Sequence, residues 1–274
     1  MNKKKLLCFC LALAALFSLV SCAAAPETPS LQGKSDAETV AELLAGYKGL
    51  DLPAVSYEMV AYYDVAGEKI SSTASVSVVG DHCSVDSETV AEGVSVPYGF
   101  VYVDGILYVN ALGVRVKGAA TAEDADEAFG QQVPFLLKDT ELFATRTLLR
   151  SEQGDYQVVL SDPKSDMTSL LNLSSVLKAG EGEEAPRLLR TSDFYVTLGF
   201  SAQGALQKVT VGGDVTFLSG GVEALLTFEV KFTDIKTEGV TVSVPSDAEE
   251  YTEAEPEVPS TEGTEDSDTS NDAA

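Results

Sequence analysis

Few side chains in this sequence could do chemistry. His82 is the single histidine among 274 residues. Any Ser-His-Asp relay must use it. Gly199-Phe200-Ser201-Ala202-Gln203 begins like the strained turn around a hydrolase serine, but the second glycine is missing. Ser201 also falls between two strand-like runs, not between strand and helix, and nothing in the spacing brings it to His82. Metal chemistry is as poorly served. One histidine and one body cysteine cannot build a zinc shell of usual composition. Asp124, Asp126 and Glu127 sit at a helix start and lack the glycine and closing glutamate of a calcium loop. No GxxxxGK[ST] or GxGxxG pattern occurs. Carboxylate pairs are so common here that none is singled out for glycosidase work. The expectation is a chain that is not an enzyme, with no cofactor and no metal site.

The cysteines carry more information. Lys3, Lys4 and Lys5 precede Leu6 to Val20, a run that is apolar except for Ser18. That length suits a signal-peptide core and is short for a spanning helix of about 20 residues. Leu19-Val20-Ser21-Cys22 follows and resembles the bacterial lipobox, which implies cleavage before Cys22 and acylation of its thiol. Two or more acyl chains anchor a protein stably where one is marginal. Residues 1–21 are therefore read as a signal peptide, and the protein as extracytoplasmic and held to the cell membrane through acylated Cys22. Cys8 and Cys10 leave with the signal. Cys83 stays alone in the body, so no intramolecular disulfide forms despite an oxidising compartment. A small buried apolar residue is the expected role of Cys83.

Charge narrows the partners. There are 43 acids and 18 bases, a formal net charge of −25. Losing Lys3, Lys4 and Lys5 takes the mature chain to −28. This excludes nucleic acid, whose phosphates need clustered Lys and Arg, and electrostatic docking on anionic lipid headgroups. Eleven of the acids lie from Asp247 onward, with no base among them. Residues 252–274 are read as a disordered acidic tail, because they cannot bury enough apolar area to offset ordering entropy. Deleting the tail should leave folding unchanged. Residues 22–34 read as a flexible tether, and 35–251 as one folded domain, expected to be monomeric.

The domain opens on a helix. Ser35 and Glu38 form a capping box, and Ala37, Val40, Ala41 and Leu44 recur at helical spacing. Strand signals then dominate, over 55–65, 69–79, 98–103, 106–111 and 113–117. Asp104-Gly105 supplies the positive φ pair of a tight hairpin. Thr121 caps a second helix. Pro134 is expected to start another, with Phe135, Leu136, Leu142, Phe143 and Leu149 on an imperfect stripe, and Pro163 a further one carrying Leu170 to Leu177. A strand is read at 156–160 between them. Strands resume at 194–200, 205–211, 214–218 and 222–235, with Gly212-Gly213 as a bulge or bend and Gly220-Gly221 as a turn. Val240 to Pro245 is expected to be the closing strand. The fold class is α+β: a large curved antiparallel sheet, an open half-barrel, with helices packed on its concave face.

This element order, with the stretches 134–143 (PFLLKDTELF) and 241–251 (TVSVPSDAEEY), resembles the LolA/LppX-like half-barrel lipoproteins, in particular lipoproteins of Gram-positive bacteria. The resemblance implies an apolar cavity between sheet and helices that holds a lipid or other apolar ligand. It transfers no ligand residue position by position. Candidates for the cavity wall are Phe100, Tyr102, Tyr108, Phe143, Phe228 and Phe232. The alternatives are ordinary sheet packing of these rings, or a cell-surface interaction or structural module without a small ligand.

Overall fold

The computed structural model describes residues 31, 33–47, 49–50, 52–132, 139–171, 173, 177 and 186–254. The signal segment, Cys22, most of the tether, Phe135, Leu136 and the acids beyond Ala254 lie outside them.

Two α-helices and twelve strands occur among the described residues. In chain order they are α1 (Asp36–Gly46), β1 (Ala54–Val65), β2 (Glu68–Val79), β3 (His82–Ala91), β4 (Val94–Val103), β5 (Ile106–Ala111), β6 (Val114–Ala119), α2 (Ala122–Gln132), β7 (Phe143–Arg150), β8 (Tyr156–Pro163), β9 (Arg187–Phe200), β10 (Leu206–Ser219), β11 (Val222–Lys236) and β12 (Thr252–Glu253). The strands form one sheet in the order β12-β6-β5-β4-β3-β2-β1-β11-β10-β9-β8-β7. It does not close. All neighbours are antiparallel except β12 and β6, so the sheet is mixed.

Turn chemistry sets the hairpins. Asp104 and Gly105 have φ of 51° and 78°, the left-handed pair that a two-residue loop needs. Alternation then sends one face inward. Tyr57, Met59, Ala61 and Tyr63 of β1 are buried, as are Leu226, Phe228, Val230 and Phe232 of β11. Val40, Leu43 and Leu44 of α1 belong to the same buried cluster. In α1 the capping box is present: Ser35 N donates to Glu38 Oε2 at 2.9 Å, and Glu38 N to Ser35 Oγ at 3.4 Å. Its buried stripe is Thr39, Val40, Leu43 and Leu44, while Ala37 and Ala41 are exposed. Turning the larger side chains inward buries more apolar area than the alanines could. Thr39 keeps its hydroxyl satisfied by donating to Ser35 O at 2.9 Å.

Several elements differ from expectation. The helix expected around 142–149 is instead a short 3-10 turn (Thr140–Leu142) followed by strand β7. Paired apolar residues at 142–143 and 148–149 fit either period, and pairing with β8 decides the matter. The segment after Pro163 shows a 3-10 turn at Thr168–Leu170, and most of 172–185 lies outside the described residues. Residues 82–97 hold β3 and the first half of β4, which charge and Pro97 conceal. Val240–Pro245 alternates yet forms no strand. A strand needs a neighbour, and β11 is already flanked by β1 and β10. The chain returns to the edge of the sheet later, where β12 lies parallel to β6 with Thr252 opposite Val116. Ala254 N donates to Lys117 O at 2.8 Å, so pairing with the sheet continues to Ala254.

Candidate functional site

Of the six aromatic candidates, Phe100, Tyr102, Phe143, Phe228 and Phe232 fall in the common apolar core. They are 1–7% exposed. Phe143 and Phe228 both pack against Phe194, with ring centroids 6.2 and 6.0 Å away. Phe232 meets the edge of Tyr57 at 5.5 Å. Tyr108 lies apart. It pairs with Val101, between the positions that face Phe100 and Tyr102, so it sits on the opposite side of the sheet. There it meets Tyr251 edge to face at 5.5 Å. The reason is the two-residue period, which puts 108 on the other face whenever 100 and 102 point to the core; there it is still buried.

The core holds one orphan among the described residues. Tyr57 Oη is buried without a hydrogen-bond partner, and burial pushes its phenol well above the usual tyrosine range. Cys83 is buried and free. Burial, reinforced by the Asp126 charge, pushes its thiol up to about 11. His82 faces the β4–β5 turn, with Nε2 3.5 Å from Asp104 Oδ1. Ser201 shapes the β9–β10 turn, its Oγ accepting from Gln203 N and Ala205 N at 3.3 and 3.2 Å. The register sets β3 and β9 five strands apart, so the structure does not bring Ser201 and His82 together.

Two depressions stand out. The first lies between α1 and the sheet, with a volume of about 600 Å³. Its walls include Leu31, Leu43, Tyr47, Phe200, Leu206 and Ile235. Glu42, also at the rim, is paired with Lys34. This pocket occupies the end of the sheet that carries the β9–β10 turn. A Cβ on Gly204 would sit 3.5 Å from both Leu31 Cδ1 and Leu43 Cδ2, so the start of the described chain enters here.

The second depression, about 760 Å³, crosses the face opposite the core. Register aligns its floor: Tyr195 on β9 pairs with Gly212 on β10, Gly212 with Glu229 on β11, Glu229 with Tyr62 on β1, and Tyr62 with Ser71 on β2. The neighbouring row runs Asp214, Thr227, Asp64, Lys69. The Tyr195 ring lies across Gly212, where a Cβ would be 2.6 Å from its Oη. Tyr195 Oη donates to Glu229 Oε2 at 3.1 Å. Glu229 is also paired with Lys231, whose Nζ lies 5.7 Å from the Tyr62 ring centroid. The Lys231 ammonium, helped by the tyrosine hydroxyl, holds the Glu229 carboxyl below its usual range. Opposite Gly213, β9 carries an extra residue, and Asp193, at φ 50°, borders the groove there. The glycine pair marked the bend in the sequence. That Tyr195 and Glu229 would meet over it had no local signal.

Of the six candidates, Phe228 alone borders either depression. No protein-family model and no curated protein sequence matches this chain.

Proposed function

We propose that this chain is an extracytoplasmic lipoprotein, anchored by acylated Cys22, that binds an apolar or lipid-like ligand without catalysing a reaction. The sheet is read as an open half-barrel, with α1 and α2 on its concave face. The pocket between α1 and the sheet carries this reading. Its walls are aliphatic and aromatic, its volume of about 600 Å³ falls within the range of small-ligand sites, and it opens at the end where the N-terminal segment arrives. An anchor on Cys22, nine residues before Leu31, would hold that end within about 31 Å of the bilayer. No helix among the described residues is long and apolar enough to cross a membrane.

The test is native mass spectrometry of protein extracted from its own host's membranes. A retained lipid mass is expected, and Leu206→Trp, which fills the pocket, should lose it while melting normally. Wild-type protein with no bound mass and no uptake of a fluorescent fatty acid would end the proposal. Cys22→Ser should leave the protein unacylated and free of the membrane fraction.

A second reading, a surface interaction module, is favoured by the far end of the sheet. Val94, Leu112, Val114 and Val222, at hairpin turns there, are 62–69% exposed. Crosslinking in intact cells separates the two, since a recurrent partner lost with Leu112→Asp would support the module.

A further inference from the structure

Among the described residues that wall the pocket between α1 and the sheet, Glu42 and Tyr47 are the ones that can ionise. We propose that this pocket takes a single-chain lipid with an uncharged, hydroxyl-bearing head, such as a monoacylglycerol, in preference to ionised fatty acids and amines. The inference rests on the ligand-binding reading above and names the ligand class.

Volume sets the tail. The space is about 600 Å³. At about 30 Å³ for each methylene-sized unit, close to the share of a water molecule, an eighteen-carbon chain needs about 540 Å³. A second chain of that length would not fit. Leu43, Leu52, Phe200, Leu206 and Ile235 give the one chain an apolar wall.

Charge sets the head. Burial holds the Tyr47 phenol well above the usual tyrosine range, so it stays neutral. Lys34 Nζ pairs with Glu42 Oε2, and the two charges cancel at the rim. Their side chains are 34% and 28% exposed, so water screens the pair only in part. Lys236, one residue past Ile235, pairs with Ser56. Val55 and Tyr57 on either side of Ser56 are buried in the core, so Lys236 lies on the other face of the sheet. An entering carboxylate would meet Glu42 and find its ammonium taken. An entering ammonium would meet Lys34 and find its carboxylate taken. Burying a charge without a partner is costly. A hydroxyl head avoids that cost. Glu42 Oε1 can still accept from it, because Lys34 takes Oε2. Gln203 and Thr237, exposed at the rim, add a neutral amide and a neutral hydroxyl. The net charge of −25 further disfavours anions.

The experiment is equilibrium binding of radiolabelled 1-monooleoylglycerol, oleate and oleylamine at pH 8, each below its aggregation threshold. The protein is the full mature chain with Cys22→Ser, which stays unacylated and needs no detergent to compete for the pocket. Monooleoylglycerol should bind about tenfold tighter than either ion, and Leu206→Trp should abolish its binding. Glu42→Gln frees Lys34 and should strengthen oleate about tenfold, leaving monooleoylglycerol within about threefold. Lys34→Gln should do the same for oleylamine. Melting curves verify the fold of each variant, since a half-exposed pair contributes little to stability. Equal binding of all three lipids, or oleate indifferent to Glu42→Gln, would overturn the head-group selection and leave the apolar pocket standing. No binding of any of the three would end the pocket reading itself, and this inference with it.

Discussion

Gly212→Ala should be costly for a reason that lies on another strand. A Cβ at 212 would stand 2.6 Å from Tyr195 Oη and 2.7 Å from its Cε1 and Cζ. No such contact survives, so the ring must leave the floor of the groove. Its departure breaks the 3.1 Å bond to Glu229 and uncovers the backbone of β10. Overpacking of this kind costs about 1–3 kcal/mol. Alanine returns about 0.5–1 kcal/mol relative to glycine in a strand. The net expectation is a loss of about 1–2 kcal/mol. In a Tyr195→Ala background the obstruction is gone, and Gly212→Ala should be neutral or stabilising. Urea denaturation of the four proteins closes the cycle, with a coupling of about 2 kcal/mol expected from the sum of the avoided clash and the forfeited hydrogen bond. An equal cost in both backgrounds would refute the packing of Tyr195 over Gly212. The pH dependence adds a sign. Glu229 is held below its usual range in the folded state, so its contribution is present at neutral pH and lost as pH falls through its folded value. The coupling should shrink in acid.

Other outcomes follow from the same geometry. Tyr57→Phe removes a buried hydroxyl that has no partner, so thermal unfolding should show no loss and a gain of up to about 1 kcal/mol; a clear loss would mean the hydroxyl is bonded. Deleting residues 255–274 should leave the melting temperature unchanged, whereas deletion from Asp247 should cost about 1–2 kcal/mol and promote self-association. The longer deletion strips Arg115 of Asp247 and Glu250, Tyr108 of Tyr251, and β6 of β12, its neighbour on the side away from β5. Size-exclusion chromatography of both truncations checks it. The Cys83 thiol is raised to about 11 from 9.0. Raising the pH through that interval ionises the unfolded thiol first, so this contribution to stability is intact below 9 and fades toward 11. Alkylation of Cys83 should accordingly be slow at pH 8 in native buffer and fast in denaturant.

Acidity had two meanings in the sequence, a solvated surface and a tail. The structure divides it differently. Asp247, Glu250 and Glu253 bind Arg115 and Lys117 along the edge of the sheet. The groove lining collects five more acids that lie far apart in the chain. Neither grouping follows from local composition, because each is assembled by strand pairing over long sequence distances.

What the residues determined by themselves is what short-range chemistry can carry. Asp104-Gly105 and Gly220-Gly221 specify hairpins through positive φ, Ser35 with Glu38 starts α1, and the alternation of 222–235 declares a strand with one buried face. Each signal is complete within about ten residues. Only the tertiary structure could decide that 143–150 pairs as β7, that 240–245 finds no neighbour and that 252–253 does. It alone could place Tyr195, Gly212, Glu229 and Tyr62 in one row. A ladder is a relation between distant segments, and a groove is a relation among several ladders. The pattern within a segment fixes which side chains share a face, while the register between segments fixes which of them meet.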